Sequence, residues 1–290
     1  MNDLQRYIQA QSFGCRVEPA DAPYTSVRDS RLATVRADTG TVIDNSIYFR
    51  PISNQLQLPA CVANAGADLM EAACVVDAVN SAKLLASAQG RPFDFSTALT
   101  AAIEAVPDLS RMFLWWCCRN EMLPSEADNP MSGTYISYAM DVLSRFGICD
   151  ESMWPYSQNA EYTRRRPALI AFAEAMHRRF SAYYKIDETG DRLIETLIQV
   201  LGAQHNVAFS TEVDASYSSY KEGVVYPPAS LTGARHAQVI CGWDPKLQAF
   251  KVRNSWTDGW GQQGYCWMHI SYVTWLGTGA FWVPTKGLHL

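Results

Sequence analysis

The pattern of apolar positions changes its period part-way along the chain. From residue 61 to about 88, Val62, Ala65, Leu69, Ala72, Val76 and Val79 recur at helical spacing, with Pro59 just ahead of the first turn. This predicts a long helix. Phe113, Leu114, Trp116 and Cys117 mark a second helical segment within 109–120. A third, over 135–146, places Ile136, Ala139, Met140 and Leu143 on one face, and Gly147 follows where a helix C-terminus favours glycine. Residues 161–206 open with charged helical material, in which Arg164, Arg165 and Arg166 read as a solvated face. After that, alternation and β-branched residues predict strands over 207–210, 236–243, 248–254 and 264–270. Asp244-Pro245 turns between two of them.

Helices first and strands second imply an α+β arrangement of two lobes, and a cleft between such lobes is a usual binding site. Residues 1–45, irregular and holding Pro19 and Pro23, are expected to be an N-terminal extension. Residues 46–160 are expected to form a helical lobe and 161–290 a mainly β lobe. A length of 290 residues, 48 % hydrophobic and 18 % charged, suits a soluble globular protein, by default a monomer. A net charge of −5 gives no nucleic-acid footprint. The first 30 residues hold no apolar run of signal-peptide length, and no stretch approaches a membrane span. The expected location is the cytoplasm, or outside the cell by a route without a classical signal peptide. The eight cysteines include no CxxC pair and Cys117 adjoins Cys118, so reduced thiols are expected. Without HExxH or CxxC, no metal or organic cofactor is implied.

The candidate chemistry lies on a predicted hairpin. His236 opens the run HAQVICGW, and the partner strand ends at Asn254. An amide oxygen there can accept from the imidazole and fix its tautomer, and Trp256 can cover that bond from water. His177, His205, His269 and His289 have no such partner motif. A thiol nucleophile would complete the set. Any one of eight cysteines is by default a buried structural thiol, but Cys61 starts the longest predicted helix, where the helix terminus and a nearby imidazolium favour the thiolate. Gln55 stands six residues before it. Its side-chain N–H and the backbone N–H of Cys61 could together hold a developing oxyanion.

Gln55 with Cys61, His236 in RHAQVICGWD, and above all Asn254 in NSWTDGWGQQGY resemble the papain family of cysteine proteases. LSRMFLWWCCRN is similar to a helix carried by bacterial members. SGTYISYAMDVLSRFGICDESMWPYS resembles the segment leading to the family's Pro-Tyr, here Pro155-Tyr156. The resemblance covers about residues 46–283 and is weak between 160 and 205. It implies a papain-like fold: a helical lobe with the nucleophile helix, a β-barrel-like lobe with the histidine and asparagine, and an active site in the cleft between them. It also implies an endopeptidase acting on protein or peptide substrates through a Cys61 thioester, with His236 as general base and acid, Asn254 orienting it and Gln55 in the oxyanion hole. Gly133 and Thr134 would bind substrate backbone as a strand does. Arg235 and Trp256, beside the histidine and the asparagine, join them as expected substrate-binding positions.

The chain departs from the family's pattern in places. LPACV replaces Cys-Gly-[SA]-Cys-[WY], so Leu58 removes the usual neighbouring disulfide and Val62 replaces an aromatic. His236 and Asn254 lie farther from Cys61 than the usual spacing of roughly 130–150 residues. Arg235 puts a cation next to the histidine, which disfavours an imidazolium. Residues 1–45 are shorter than the long helical propeptides of eukaryotic members. They are expected either to lie near or across the cleft, zymogen-like, or to pack on the far lobe. The same residues would also serve another thiol acyl transfer, such as a deamidase or a transglutaminase-like enzyme. A papain-fold binding protein that has lost catalysis is the non-enzymatic alternative.

Overall fold

The computed structural model describes residues 14–19, 24–30, 32, 38–123, 129 and 132–286. Its axis is α1 (Cys61–Ala88). From Cys61 to Ala72 this helix is buried all round; further on, only positions such as Val75 and Val79 are covered, and Leu84 and Leu85 are exposed. Small residues make that burial possible. A Cβ on Gly66 would lie 2.8 Å from Leu114 and 3.2 Å from Leu143, so glycine lets α3 (Arg111–Asn120) and α4 (Ile136–Arg145) close on the same turn.

Local signals set the ends of these helices. Ser110 caps α3 by accepting from the Phe113 N–H. Gly147 ends α4 at φ +79°, and a Cβ there would meet the Ala175 carbonyl at 2.0 Å. A helix that the periodicity left unread, α2 (Phe95–Ala105), is capped by Asp94, whose side chain accepts from the Ser96 and Thr97 N–H groups. The stretch after 160 holds α5 (Ala160–Arg164), α6 (Leu169–Ala175) and α7 (Gly190–Gly202), with a strand between the last two.

The sheet comprises β1 (Ile43–Asp44), β2 (Ala182–Ile186), β3 (Val207–Glu212), β4 (Val224–Val225), β5 (Arg235–Asp244), β6 (Ala249–Arg253), β7 (Tyr265–His269) and β8 (Thr278–Thr285). Their order is β2-β8-β3-β5-β6-β7-β4, with β1 added to β5. The four strands expected from the sequence are present with slightly shifted ends. Asp244 makes the expected turn, its side chain accepting from the Lys246 and Leu247 N–H groups.

Both faces of β5 are covered, which explains its near-continuous apolar run. Ala237, Val239 and Cys241 join the helical core around α1. Ile240 and Trp243 join a second core with Leu193, Leu197 and Leu201 of α7. The N-terminus of α1 and the start of β5 therefore meet where the two cores adjoin. All eight cysteines are free thiols. Among the described residues no helix is long and apolar enough to cross a membrane.

Candidate active site

Cys61 is the first residue of α1, and Ala60 before it offers no side-chain cap. The first-turn amides are thus left for the thiol. The backbones of Ala237 on β5, of Gly14, of Val62 and of Cys61 itself each act on its sulfur. These contacts favour the thiolate, but full burial outweighs them and pushes the Cys61 thiol up to about 11.

His236 begins the inner part of β5, paired with Thr211 of β3. Its Nε2 lies 2.8 Å from Asn254 Oδ1. The same oxygen accepts the Ser255 backbone N–H at 2.8 Å. An oxygen that accepts from a backbone amide is the acceptor for the ring as well, so Nε2 carries the proton and Nδ1 is the basic nitrogen. Trp256 stacks on the imidazole at 4.6 Å between centroids and 23° between planes. It is itself braced edge-on by Trp260 at 5.6 Å and Tyr217 at 6.1 Å. Burial lowers His236 to about 4, against a smaller upward effect of the bond to Asn254. In this closed arrangement thiol and imidazole are both neutral.

Gln55 is buried just ahead of α1. Its backbone N–H donates to the Ser255 carbonyl at 3.0 Å, and Ser255 Oγ donates to its Oε1 at 2.7 Å. The Oε1 acceptor position therefore belongs to serine, and Nε2 faces the loop before Cys61, donating one proton to the Leu58 carbonyl at 3.3 Å. Tyr156 Oη donates to the Gln55 carbonyl at 2.7 Å. Reading the sequence did not single out Ser255 for this task; its place between Asn254 and Trp256 was the signal.

A buried ionic network joins the two halves of the site. Arg253, the residue before Asn254, donates Nε to Asp68 Oδ2 at 2.8 Å and Nη2 to Asp68 Oδ1 at 3.2 Å. Arg111 Nη2 reaches the same Oδ1 at 3.0 Å. Asp68 lies two turns along α1 from Cys61, so the network clamps α1 to the end of β6, just before Asn254. Sequence reasoning passed over these residues because their pairing spans distant segments.

Residues 14–18 fill the space in front of the thiol. Gly14 and Arg16 straddle Thr134 in a parallel bridge: the Thr134 N–H donates to the Gly14 carbonyl at 2.8 Å, and the Arg16 N–H donates to the Thr134 carbonyl at 2.9 Å. Arg16 Nε also donates to the Gly133 carbonyl at 2.9 Å. The approach is close on both sides. A Cβ on Gly14 would meet the Pro59 carbonyl at 2.0 Å, and one on Gly133 would meet the Gly14 carbonyl at 2.3 Å. Glu18 anchors the segment's far end, accepting from the Ser137 N–H at 2.9 Å. Gly133 and Thr134 thus have a strand-like partner, supplied by the chain itself. Arg235 faces the same segment near Cys15, donates to Ser210 Oγ at 3.2 Å and pairs with Glu212 at 3.5 Å. That carboxylate offsets the cation next to the histidine. Trp256 lies against His236. Residues 24–30 and Leu32 pack elsewhere: Val27 and Leu32 belong to the second core, beside α7. Of the rest of the 1–45 extension, residue 19 and residues 38–45 are described.

A family model for papain family cysteine proteases matches residues 95–277. Among curated proteins, the chain is 29 % identical over 173 residues to a peptidase C1-like protein of Acanthamoeba polyphaga mimivirus, covering 57 % of this chain and 54 % of that one. It is 25 % identical over 142 residues to a cathepsin L-like proteinase of Fasciola hepatica, covering 48 % and 40 %. The chain thus spans about half or less of these relatives' length. Among solved structures, xylellain, a cysteine protease from Xylella fastidiosa, superposes with a TM-score of 0.72 at 20 % identity, covering 96 % of this chain and 97 % of that one. A procathepsin L2 proteinase from the larval midgut of Tenebrio molitor superposes with a TM-score of 0.69 at 21 % identity, covering 98 % and 81 %.

Proposed function

Because the chain belongs to the papain family of cysteine proteases, we propose that it is an endopeptidase whose nucleophile is Cys61. His236 takes the thiol proton at Nδ1 and the sulfur attacks the scissile carbonyl carbon. The tetrahedral oxyanion is held by the Cys61 backbone N–H and the second N–H of Gln55 Nε2. Collapse to the Cys61 thioester expels the amine, which His236 protonates; water, deprotonated by the same nitrogen, then releases the acid. Asn254 holds the ring in the Nε2–H tautomer throughout. The observation that carries this reading is one acceptor, Asn254 Oδ1, taking both the Ser255 N–H and the His236 ring at 2.8 Å each. That leaves the imidazole with a single reactive nitrogen.

Residues 14–18 act in this reading as an internal occupant of the cleft. Extended substrate would pair with the backbone edge at Gly133 and Thr134, by the strand addition that Gly14–Arg16 now makes. The division into an extension over 1–45, a helical lobe over 46–160 and a mainly β lobe over 161–290 follows from the same reading. Substrates are proteins or peptides, and the working unit is a monomer outside any membrane.

Digestion of an unfolded protein, followed by mass spectrometry, tests the activity. The chain lacking residues 1–22 cleaves peptide bonds with addition of water, and its Cys61→Ala variant does not. Mass gains of about one unit without cleavage would instead indicate deamidation.

A further inference from the structure

Arg16 is bonded into the wall of the cleft at three points. Its backbone N–H donates to the Thr134 carbonyl at 2.9 Å, its Nε to the Gly133 carbonyl at 2.9 Å and its Nη2 to Ser132 Oγ at 2.8 Å. Ser132 Oγ gives its own proton to the same Gly133 carbonyl, at 3.1 Å. The hydroxyl therefore turns a lone pair to the guanidinium and serves it as an acceptor. The guanidinium carbon lies 5.9 Å from the centre of the Tyr135 ring, within reach of the attraction between a cation and a ring face. Two acceptors beside an aromatic ring suit the planar fork of arginine. The compact ammonium of lysine matches neither the fork nor the ring in this way.

The wall holds these groups in place without help from Arg16. Ser132 is 3 % exposed, and its N–H donates to the Asn129 carbonyl at 3.1 Å. The buried Arg119 fixes that turn, donating to the same Asn129 carbonyl at 2.6 Å and to the Thr163 carbonyl at 2.9 Å. Tyr135 stands just before α4, and its ring meets that of Tyr138 edge-on at 4.8 Å. A seat organised by its own surroundings keeps its shape when its occupant leaves, which lowers the cost of binding the next one.

We propose that Ser132, Gly133 and Tyr135 form a guanidinium-binding subsite, which an arginine side chain of a protein or peptide substrate takes when Arg16 leaves it. This rests on the reading of the cleft as that of a peptidase. The arginine belongs to the substrate residue whose backbone N–H bonds the Thr134 carbonyl, because Arg16 reaches the subsite from that bond. Preferred substrates therefore carry arginine at one fixed distance from the cleaved bond. Lysine is held more weakly there, and so is citrulline, which keeps the shape of arginine without its charge.

The test uses the full chain carrying Gly14→Val and Arg16→Ala. The first substitution keeps the segment out of the cleft, since a Cβ at Gly14 would lie 2.0 Å from the Pro59 carbonyl. The second removes the resident guanidinium. Cys61→Ala is added so that nothing is cleaved, and circular dichroism checks the fold. The probe is a fluorescein-labelled peptide with the sequence of residues 13–19, its cysteine replaced by serine, and with arginine, lysine or citrulline at the position of Arg16. By fluorescence anisotropy the arginine peptide binds about five- to tenfold more tightly than either analogue, the worth of one charge-assisted fork. Ser132→Ala in the same chain narrows that gap, whereas a merely disturbed wall weakens all three peptides alike. Equal affinities for the three peptides, an equal effect of Ser132→Ala on all of them, or no binding of the arginine peptide overturns the proposal. With Cys61 restored, peptide substrates with arginine at that position are cleaved with kcat/KM about fivefold above their citrulline counterparts, and cleavage indifferent to the exchange overturns the substrate assignment. Arginine-selective binding with no cleavage of any peptide refutes the peptidase and leaves the subsite standing.

Discussion

Replacing Asp68 with alanine should cost more stability than any substitution on the outer face of α1. Asp68 is 2 % exposed and receives three hydrogen bonds from two guanidinium groups. Removing one partner of a buried ion pair typically costs about 3–5 kcal/mol, because the other charge stays behind. The two arginines differ here. Arg111 keeps Asp108 at 2.8 Å and Glu71 at 3.3 Å. Arg253, with a side chain 0 % exposed, keeps, among the described residues, only neutral partners, the Pro51 carbonyl and the Tyr265 hydroxyl. The stranded charge is therefore Arg253, and a loss of about 4 kcal/mol is expected. With a urea slope of about 3 kcal/mol/M, the unfolding midpoint should fall by more than about 1 M. Combining Asp68→Leu with Arg253→Met removes both charges and should recover a good part of the loss. A midpoint for Asp68→Ala within about 0.2 M of wild type would refute the reasoning, since it would mean that the guanidinium finds water when its partner goes.

Other expectations follow from the site. Gln55→Ala should lower kcat by about 100- to 1000-fold with folding intact, the usual cost of one oxyanion donor; an unchanged kcat removes Gln55 from the mechanism. Ser255→Ala, which loses only the bond that orients that amide, should cost about tenfold, and a loss as large as that of Gln55→Ala would show that serine acts otherwise. Burial holds His236 near 4 in the folded chain against 6.5 unfolded, so between those values only the unfolded state takes up the proton. Its contribution to stability is present above about pH 6.5 and falls by up to about 3 kcal/mol as the pH drops toward 4. Glu151, raised to about 7 by burial, acts in the opposite sense: it favours folding at low pH, and that contribution is lost as the pH rises through about 7. Urea unfolding of wild type and His236→Asn at pH 7.5 and pH 5 isolates the histidine. The wild-type advantage should shrink at the lower pH, and an equal difference at both contradicts the assigned burial.

The local parts of this fold were the legible ones. The helix starting at Cys61 was predicted over its full length, because its apolar spacing is regular and Pro59 marks the entry. The His236–Asn254 hairpin was readable for the same reason: its strands are adjacent in sequence and Asp244 turns between them. Strands β2 and β8 were not, since they pair with each other across a hundred residues and β8 carries Pro284 inside the ladder. The link from Gln55 to Ser255 and the clamp from Asp68 to Arg253 are likewise tertiary and leave no periodic trace. Residues 14–18 read as irregular sequence. What seats them is backbone pairing to Thr134 and the lack of a Cβ at Gly14 and Gly133, which hydrophobic pattern does not record.

The account stands on Cys61 becoming an activated nucleophile once the cleft is open. A chain lacking residues 1–22 keeps Ser26, whose side chain bonds Asp187 at 2.9 Å, and the buried Val27, and loses the segment 14–18 that fills the cleft. Limiting iodoacetamide at about pH 6, where an ordinary thiol is protonated and slow, followed by mass mapping of all eight cysteines, measures that activation in the full and shortened chains side by side. The account predicts slow labelling of Cys61 in the full chain, rapid and selective labelling in the shortened one, and loss of the rapid phase in His236→Ala. Labelling led by Cys74, the least buried of the eight, or a Cys61 rate indifferent to His236, would contradict it.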